Sequence, residues 1–213
     1  MIAPEGRVVI IPVFLMLCFF AFLSAVISNI VINGVLIFFF LFTIFCLYFF
    51  RDPKRKADIQ QNRMLSPADG KIVQIIESTD KELGQVNIVS IFLSVFNVHR
   101  QWVPYDSKVL DYKYNQGAFF GALFNKASEK NEQSITYFET SLGNYKIKQI
   151  AGFIARRIIN YMNPLEKVNA GDSLGFIRFG SRVDVVLPEN FRISVSVGDK
   201  VKGCKTVLGK FNG

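Results

Sequence analysis

From Val8 to Phe50 the chain carries 43 consecutive residues without a charged side chain. A helix crosses a bilayer in about 20 apolar residues, so this stretch predicts two spans joined by a tight turn. Ser28-Asn29 and Asn33-Gly34 supply the polar and flexible positions near its middle, where the turn is expected. A hairpin that dips into one leaflet without crossing is the alternative. A cleaved signal peptide fits poorly, because its apolar core runs to only about 7–15 residues between a basic start and a small-residue exit. Beyond Lys56 the pattern changes to short runs rich in Val and Ile, broken by turn residues. Lys71–Glu77, Val86–Phe96, Ser107–Tyr114, Ser134–Thr140, Tyr145–Ala151, Val183–Leu187 and Phe191–Val197 predict strands. Phe119–Lys130 and Ala155–Met162 predict helices, the second because Ile154, Ile158, Ile159 and Met162 fall near one face. The class implied is α+β: a membrane-anchoring hydrophobic helical hairpin over residues 1–50, then a mainly antiparallel β domain over 51–213.

Charge sets an expected topology. Arg7 precedes the apolar stretch, Arg51, Lys54, Arg55 and Lys56 follow it, and the central turn has no cation. The positive-inside tendency then puts both ends, and the whole β domain, on the cytoplasmic face of the cell membrane. The three cysteines imply no disulfide framework, since Cys18 and Cys46 lie in the apolar segments and Cys204 is alone beyond them. The net charge of +8 resides in the β domain. No recognition motif supports nucleic acid as its partner. Anionic lipid head groups are the simpler one, attracting juxtamembrane Lys and Arg by about 1 kcal/mol each; a solvated positive face is the plain alternative.

A short internal echo bears on the fold. The segments beginning at Val168 (VNAGDSLGFI) and Val197 (VGDKVKGCKTVLG) each read as an apolar residue, a Gly-Asp turn and another short strand. Similar turns recur in the hammerhead, barrel-sandwich-like folds of lipoyl and biotinyl carriers, built from paired β half-motifs. The Met-Lys-Met or Asp-Lys-Ala attachment site of those carriers is absent, which argues against a carrier function.

Candidate chemistry is sparse when residues are taken singly. His99 is the only histidine, and a solitary histidine after an apolar strand is more often structural. Asp69 lies in Pro67-Ala68-Asp69-Gly70, a turn that an aspartate commonly caps. No His/Cys cluster has metal-ligand spacing, so no metal is expected.

Six blocks in order change that picture: FFRDPKR at Phe49–Arg55, SPADGKI at Ser66–Ile72, IFLSVFNVHRQWVP at Ile91–Pro104, YNQGAFFGALFNKASEKNEQ at Tyr114–Gln133, QIAGFIARRI at Gln149–Ile158, and GFIRFGSRVDVVLP at Gly175–Pro188. Together they resemble the short bacterial- and archaeal-type phosphatidylserine decarboxylase proenzymes, a pyruvoyl-dependent family. Two departures stand out. Gln116-Gly117-Ala118-Phe119 occupies the place of the family's frequent Pro-Gly-Lys-Phe, and Trp102 stands where many relatives carry a polar or basic residue.

The resemblance implies a zymogen of a phospholipid-biosynthetic lyase. Self-cleavage at Gly180–Ser181 would give a β chain (1–180) and an α chain (181–213), associated as a heterodimer; a higher homo-oligomer is compatible with it. Decarboxylation leaves a carbanion that needs an electron sink, so a carbonyl cofactor must form an imine with the substrate amine. The implied cofactor is a covalent pyruvoyl group made from Ser181, with no pyridoxal phosphate. Ser181 is then cleavage nucleophile and Schiff-base precursor, His99 in FNVH its base, and Asp69 the carboxylate that fixes the His99 tautomer and stabilises the imidazolium. Gly180 would relieve bulk at the attacked carbonyl and allow a strained backbone. Arg156, Arg157, Arg178 and Arg182 are candidates for the lipid phosphate, which guanidinium binds in bidentate fashion; surface arginines are the alternative. The implied substrate is membrane phosphatidylserine, converted to phosphatidylethanolamine and carbon dioxide. An archaetidylserine or related serine-lipid substrate, or a non-catalytic membrane-anchored adaptor, are the rival readings.

Overall fold

The computed structural model describes residues 1–58, 62–117, 131–152, 157–178 and 180–212. They form two compact units, Met1–Lys54 and Arg55–Gly213. The first is a helical hairpin: a 3-10 turn at Pro4–Gly6, then α1 (Arg7–Val26) and α2 (Ile30–Phe49). Both helices are long and apolar enough to cross a membrane. They are apolar all round rather than on one stripe, as a lipid-facing helix is. The turn falls at 27–29, where the Asn29 side chain caps α2 by accepting from the N–H of Val31 at 2.8 Å. Asn33-Gly34, expected from sequence to share the turn, lies inside α2. There the Asn33 amide oxygen accepts from the Ser24 hydroxyl of α1 at 2.7 Å. Stacked Phe20 and Phe39, with ring centroids 5.4 Å apart, add an aromatic contact between the helices.

The second unit is built almost wholly from antiparallel strands: β1 (Arg63–Leu65), β2 (Gly70–Asp80), β3 (Gly84–Leu93), β4 (Arg100–Trp102), β5 (Ser107–Asn115), β6 (Gln133–Glu139), β7 (Tyr145–Ala151), β8 (Ile158–Asn160), β9 (Lys167–Val168), β10 (Ser173–Ile177), β11 (Ser181–Pro188), β12 (Phe191–Ile193), β13 (Lys200–Val201) and β14 (Val207–Phe211). Eight of them form one sheet in the order β13-β2-β3-β11-β7-β6-β5-β9. Two three-stranded sheets, β1-β14-β12 and β4-β10-β8, complete the unit. Its main core among the described residues includes Ile72, Val89, Ile91, Leu93, Ile147, Val183, Val185 and Leu187.

β11 lies at the centre of the large sheet, between β3 and β7. By the two-residue period of a strand, Ser181 shares the face of Val183, Val185 and Leu187. On the other face Arg182 is buried and donates from Nε to Asp184 at 2.6 Å and from Nη2 to Ser90 at 2.8 Å. Removing one member of a buried pair strands the other charge, at a cost of about 3–5 kcal/mol. Asp184→Ala is therefore expected to destabilise the β unit by about 3 kcal/mol or more. Denaturant unfolding followed through Trp102, the one tryptophan, measures it.

The sequence echo is a geometric repeat. Gly171 (φ +93°) and Gly198 (φ +103°) both sit in the left-handed region that a side chain resists. In each turn the aspartate that follows accepts from the N–H three residues earlier, Asp172 from Asn169 at 2.7 Å and Asp199 from Ser196 at 2.8 Å. Each turn also exchanges two main-chain hydrogen bonds with an apolar residue, Val103 for the first and Ile72 for the second, all at 2.8–2.9 Å. Paired half-motifs thus underlie the barrel-sandwich-like arrangement.

One predicted helix is wrong. Within Ala155–Met162 the described residues include β8, which pairs with β10 through Ile158↔Ile177, Ile159↔Phe176 and Asn160↔Gly175. Two β-branched isoleucines in succession suit a pleated strand as well as a helix face, and pairing decides in favour of the strand. The predicted helix over Phe119–Lys130 lies outside the described residues.

Candidate active site

Ser181 opens β11 and is held on both sides, opposite Leu93 of β3 and Ala151 of β7. It is fully buried, and its Oγ has no hydrogen-bond partner among the described residues. A buried hydroxyl in that condition is uncommon and marks a place where reactivity can be stored. The preceding residue, Gly180, has φ +61°. A Cβ built there meets none of the described residues within 4 Å apart from its chain neighbours, and the left-handed backbone is one that glycine adopts readily. The Gly180 carbonyl oxygen accepts a hydrogen bond from the N–H of Gly152 at 3.1 Å. A main-chain donor therefore already polarises the carbonyl next to Ser181.

His99 is fully buried between β3 and β4. Its Nδ1 lies 3.0 Å from the Asn97 carbonyl oxygen. A carbonyl can only accept, so Nδ1 carries the proton and Nε2 is the basic nitrogen of the neutral ring. The family resemblance implies this orienting task for Asp69; at Nδ1 the Asn97 main-chain carbonyl is in place for it. Asn97 is itself fixed in a tight turn, its side-chain oxygen accepting from the N–H and Oγ of Ser94 at 2.9 and 2.8 Å. The His99 carbonyl accepts from the N–H of Ile177, three residues before Gly180, and from the Gln101 amide at 2.7 Å. Pairing of β4 with β10, Arg100 opposite Phe176, continues this alignment. The fold thus lays the segment leading to Gly180–Ser181 alongside the segment carrying His99.

Behind His99 runs a polar chain that the sequence does not reveal. Gln149 Nε2 donates to Gln101 Oε1 at 2.9 Å, and Asn160 Nδ2 donates to Gln149 Oε1 at 3.0 Å. Both glutamines are fully buried. Gly175 makes room for the chain, since a Cβ there would lie 2.7 Å from Gln149 Nε2 and 2.2 Å from the Ile159 carbonyl. The one sequence signal is Gln149 at the head of QIAGFIARRI; Gln101 lies beyond the predicted strand Val86–Phe96 and Asn160 inside the predicted helix Ala155–Met162, and neither stands out there.

Asp69 stands in the turn between β1 and β2, with the Ser66 hydroxyl donating to the Ala68 carbonyl at 2.7 Å below it. Its carboxylate receives both Nη atoms of Arg55, the Nη2–Oδ2 contact being 2.8 Å, and the N–H of Gly203 at 2.8 Å. Main-chain bonding of Trp102 N–H to the Pro67 carbonyl at 2.8 Å sets this turn beside β4, which follows His99.

The phosphatidylserine decarboxylase family model matches residues 42–209. The phosphatidylserine decarboxylase proenzyme of Neisseria gonorrhoeae (strain NCCP11945) is 44% identical over 175 residues, covering 81% of this chain and 67% of that protein. The proenzymes of Burkholderia mallei (strain SAVP1) and Burkholderia vietnamiensis (strain G4 / LMG 22486) are 42% and 43% identical over 174 residues, covering 81% of either chain. This chain belongs to the phosphatidylserine decarboxylase family. Among solved structures, the glucose permease IIA of Mycoplasma capricolum has TM-score 0.38 and 17% identity over 69% of this chain and 93% of that one, too distant a likeness to argue from.

Within the family framework the four arginines offered for a phosphate fare differently. Arg182 is corrected: its guanidinium is buried and committed to Asp184, Ser90 and Gln74. Arg157 is exposed and Arg178 half-buried, and they are neighbours through the bond from Arg178 N–H to the Arg157 carbonyl at 3.3 Å. Arg156 lies outside the described residues.

Proposed function

We propose that this chain is a zymogen that cleaves itself at Gly180–Ser181 and then decarboxylates phosphatidylserine to phosphatidylethanolamine. The single observation that carries the cleavage site is the buried Ser181 hydroxyl, without a hydrogen-bond partner among the described residues, beside a carbonyl already held by Gly152 N–H. His99 Nε2 takes the hydroxyl proton as Ser181 Oγ bonds to the Gly180 carbonyl carbon. The displaced electron pair goes to the carbonyl oxygen, where Gly152 N–H meets it. The C–N bond then breaks, the proton passes to the freed nitrogen of residue 181, and an ester replaces the amide. Loss of the residue 181 α-proton expels the Gly180 carboxylate. Hydrolysis of the resulting enamine releases ammonia and leaves a pyruvoyl group.

The residues present fit that group. Loss of the Ser181 hydroxyl, as Cβ becomes the methyl and Cα the ketone, gives up no side-chain hydrogen bond among the described residues, and β3 and β7 hold the following main chain on both sides. When formed, the group supplies the electron sink that decarboxylation demands. His99, relieved of the cleavage step, holds a proton at Nε2 for the substrate α-carbon. Arg157 and Arg178 remain the candidates to meet the head-group phosphate, neighbours through the bond from Arg178 N–H to the Arg157 carbonyl. The α chain keeps its place after cleavage because it contributes β11 to the middle of the large sheet, so the two chains remain a heterodimer.

The hairpin suits a substrate whose acyl chains never leave the bilayer. With Arg51, Lys54 and Lys56 after it and no cation in its turn, the β unit is assigned to the cytoplasmic face. Intact-mass measurement of the purified protein tests the reading. The expected result is a large chain ending at Gly180 and a 33-residue chain, 181–213, whose first residue is blocked by pyruvate. A single chain at full mass, in a preparation that decarboxylates the lipid, would overturn it.

A further inference from the structure

By sequence Arg55 is one of a cluster of cations after the apolar hairpin, and such cations ordinarily face lipid head groups. The structure takes Arg55 out of that group. Its side chain is 6% exposed and is paired with the 12%-exposed Asp69 side chain. Both guanidinium Nη atoms reach the two carboxylate oxygens, the two-point geometry that fixes a carboxylate's plane. Nη1 also donates to the Gly203 carbonyl at 2.9 Å, while Gly203 N–H donates to Asp69 Oδ1 at 2.8 Å. The Trp102 ring closes the arrangement, with the guanidinium carbon 4.5 Å from its centroid. Gly203 is required beneath it, since a Cβ there would lie 2.5 Å from the indole. The departure at Trp102 thus acquires a physical role, as the platform on which Arg55 rests.

A buried ion pair is weak as a source of stability, because desolvation offsets most of the attraction. What it supplies is placement. We infer that Arg55 is a positioning residue for self-cleavage: it presets the Asp69 carboxylate, and Trp102 and Gly203 hold Arg55 in turn. This rests on the reading, implied by the family resemblance, of Asp69 as the carboxylate that stabilises the His99 imidazolium during cleavage, a task the neutral Asn97 carbonyl at Nδ1 leaves open. Arg55 then touches neither Ser181 nor the scissile carbonyl, and acts only through Asp69.

A double-mutant cycle in the full-length chain separates the two claims. Self-cleavage rates of Arg55→Met, Asp69→Asn and the double variant are measured by intact mass, well below each variant's melting temperature. Arg55→Met is expected to slow cleavage about 10- to 100-fold, as misplacement of a working group does. The double variant is expected to be no slower than Asp69→Asn alone, because the cation then has nothing left to place. Arg55→Lys keeps the charge and gives up the paired N–H geometry, so it should fall between wild type and Arg55→Met. It also decides the matter if the Met variant does not fold, wild-type cleavage by it being adverse. Wild-type cleavage by Arg55→Met beside an impaired Asp69→Asn, or a double variant slowed by the product of the single effects, would overturn the inference. Wild-type cleavage by Asp69→Asn would sink the underlying reading instead.

Discussion

Ser181→Ala is expected to leave every chain at full length and to abolish decarboxylation, while it melts as the uncleaved wild-type precursor does. The first two effects follow from the same atom. Without Oγ nothing can form the ester, and without the ester no pyruvoyl group arises. No neighbouring side chain substitutes readily, because the two positions opposite residue 181 are Leu93 and Ala151. The unchanged stability follows from the hydroxyl having no hydrogen-bond partner among the described residues. Deleting a buried polar atom without a partner among the described residues removes a desolvation cost rather than an interaction, so stability should stay within about 1 kcal/mol of the uncleaved wild-type precursor or rise. The two outcomes together separate a chemical role from a packing one. Intact mass and a lipid decarboxylation assay on one preparation read both, and a cleaved Ser181→Ala chain would refute the assignment.

How much of this was legible in the sequence depends on the range over which each feature is encoded. The hairpin is written in composition alone, over 43 residues without a charge. The long strands are written in local alternation: Tyr145–Ala151 was predicted to the residue, and Ser134–Thr140 is displaced by one from β6. β4, β8, β9 and β13 have two or three residues each. Such runs are too short to show a period and exist only because a distant partner pairs with them, which is how Ala155–Met162 came to read as a helix.

At the site, side chains in a recognisable run were legible and main-chain partners were not. Nothing in SVFNVH announces that the Asn97 carbonyl, rather than a carboxylate, bonds to His99 Nδ1. Nor does QIAG announce that Gly152 N–H reaches the Gly180 carbonyl across 28 residues of chain. Arg55 was concealed differently. A cation that follows an apolar stretch has an adequate explanation at the membrane surface, and only its burial against Asp69 and Trp102 removes that explanation.

His99→Ala is expected to slow self-cleavage by about 10²- to 10⁴-fold, the range attached to a positioned general base. The imidazole is separable from its surroundings because the surroundings are held through the main chain. The His99 carbonyl is fixed by Gln101 and Ile177, and Gln101 by Gln149; none of these bonds uses the ring. Shortening the side chain therefore removes the base and leaves the frame that aligns β10 with β4. The ring fills a buried volume, so some loss of melting temperature is expected, and the measurement belongs at a temperature where both proteins are folded. Added imidazole, small enough to occupy the vacated space, is expected to restore part of the cleavage rate, which a purely structural histidine would not allow. Activity counted per cleaved chain then isolates the second task. If His99 also returns a proton to the substrate α-carbon, the few chains that do mature will decarboxylate more slowly than mature wild-type chains. Wild-type cleavage by His99→Ala would remove the base from the scheme and leave only the Gly152 N–H at the Gly180 carbonyl to assist Ser181.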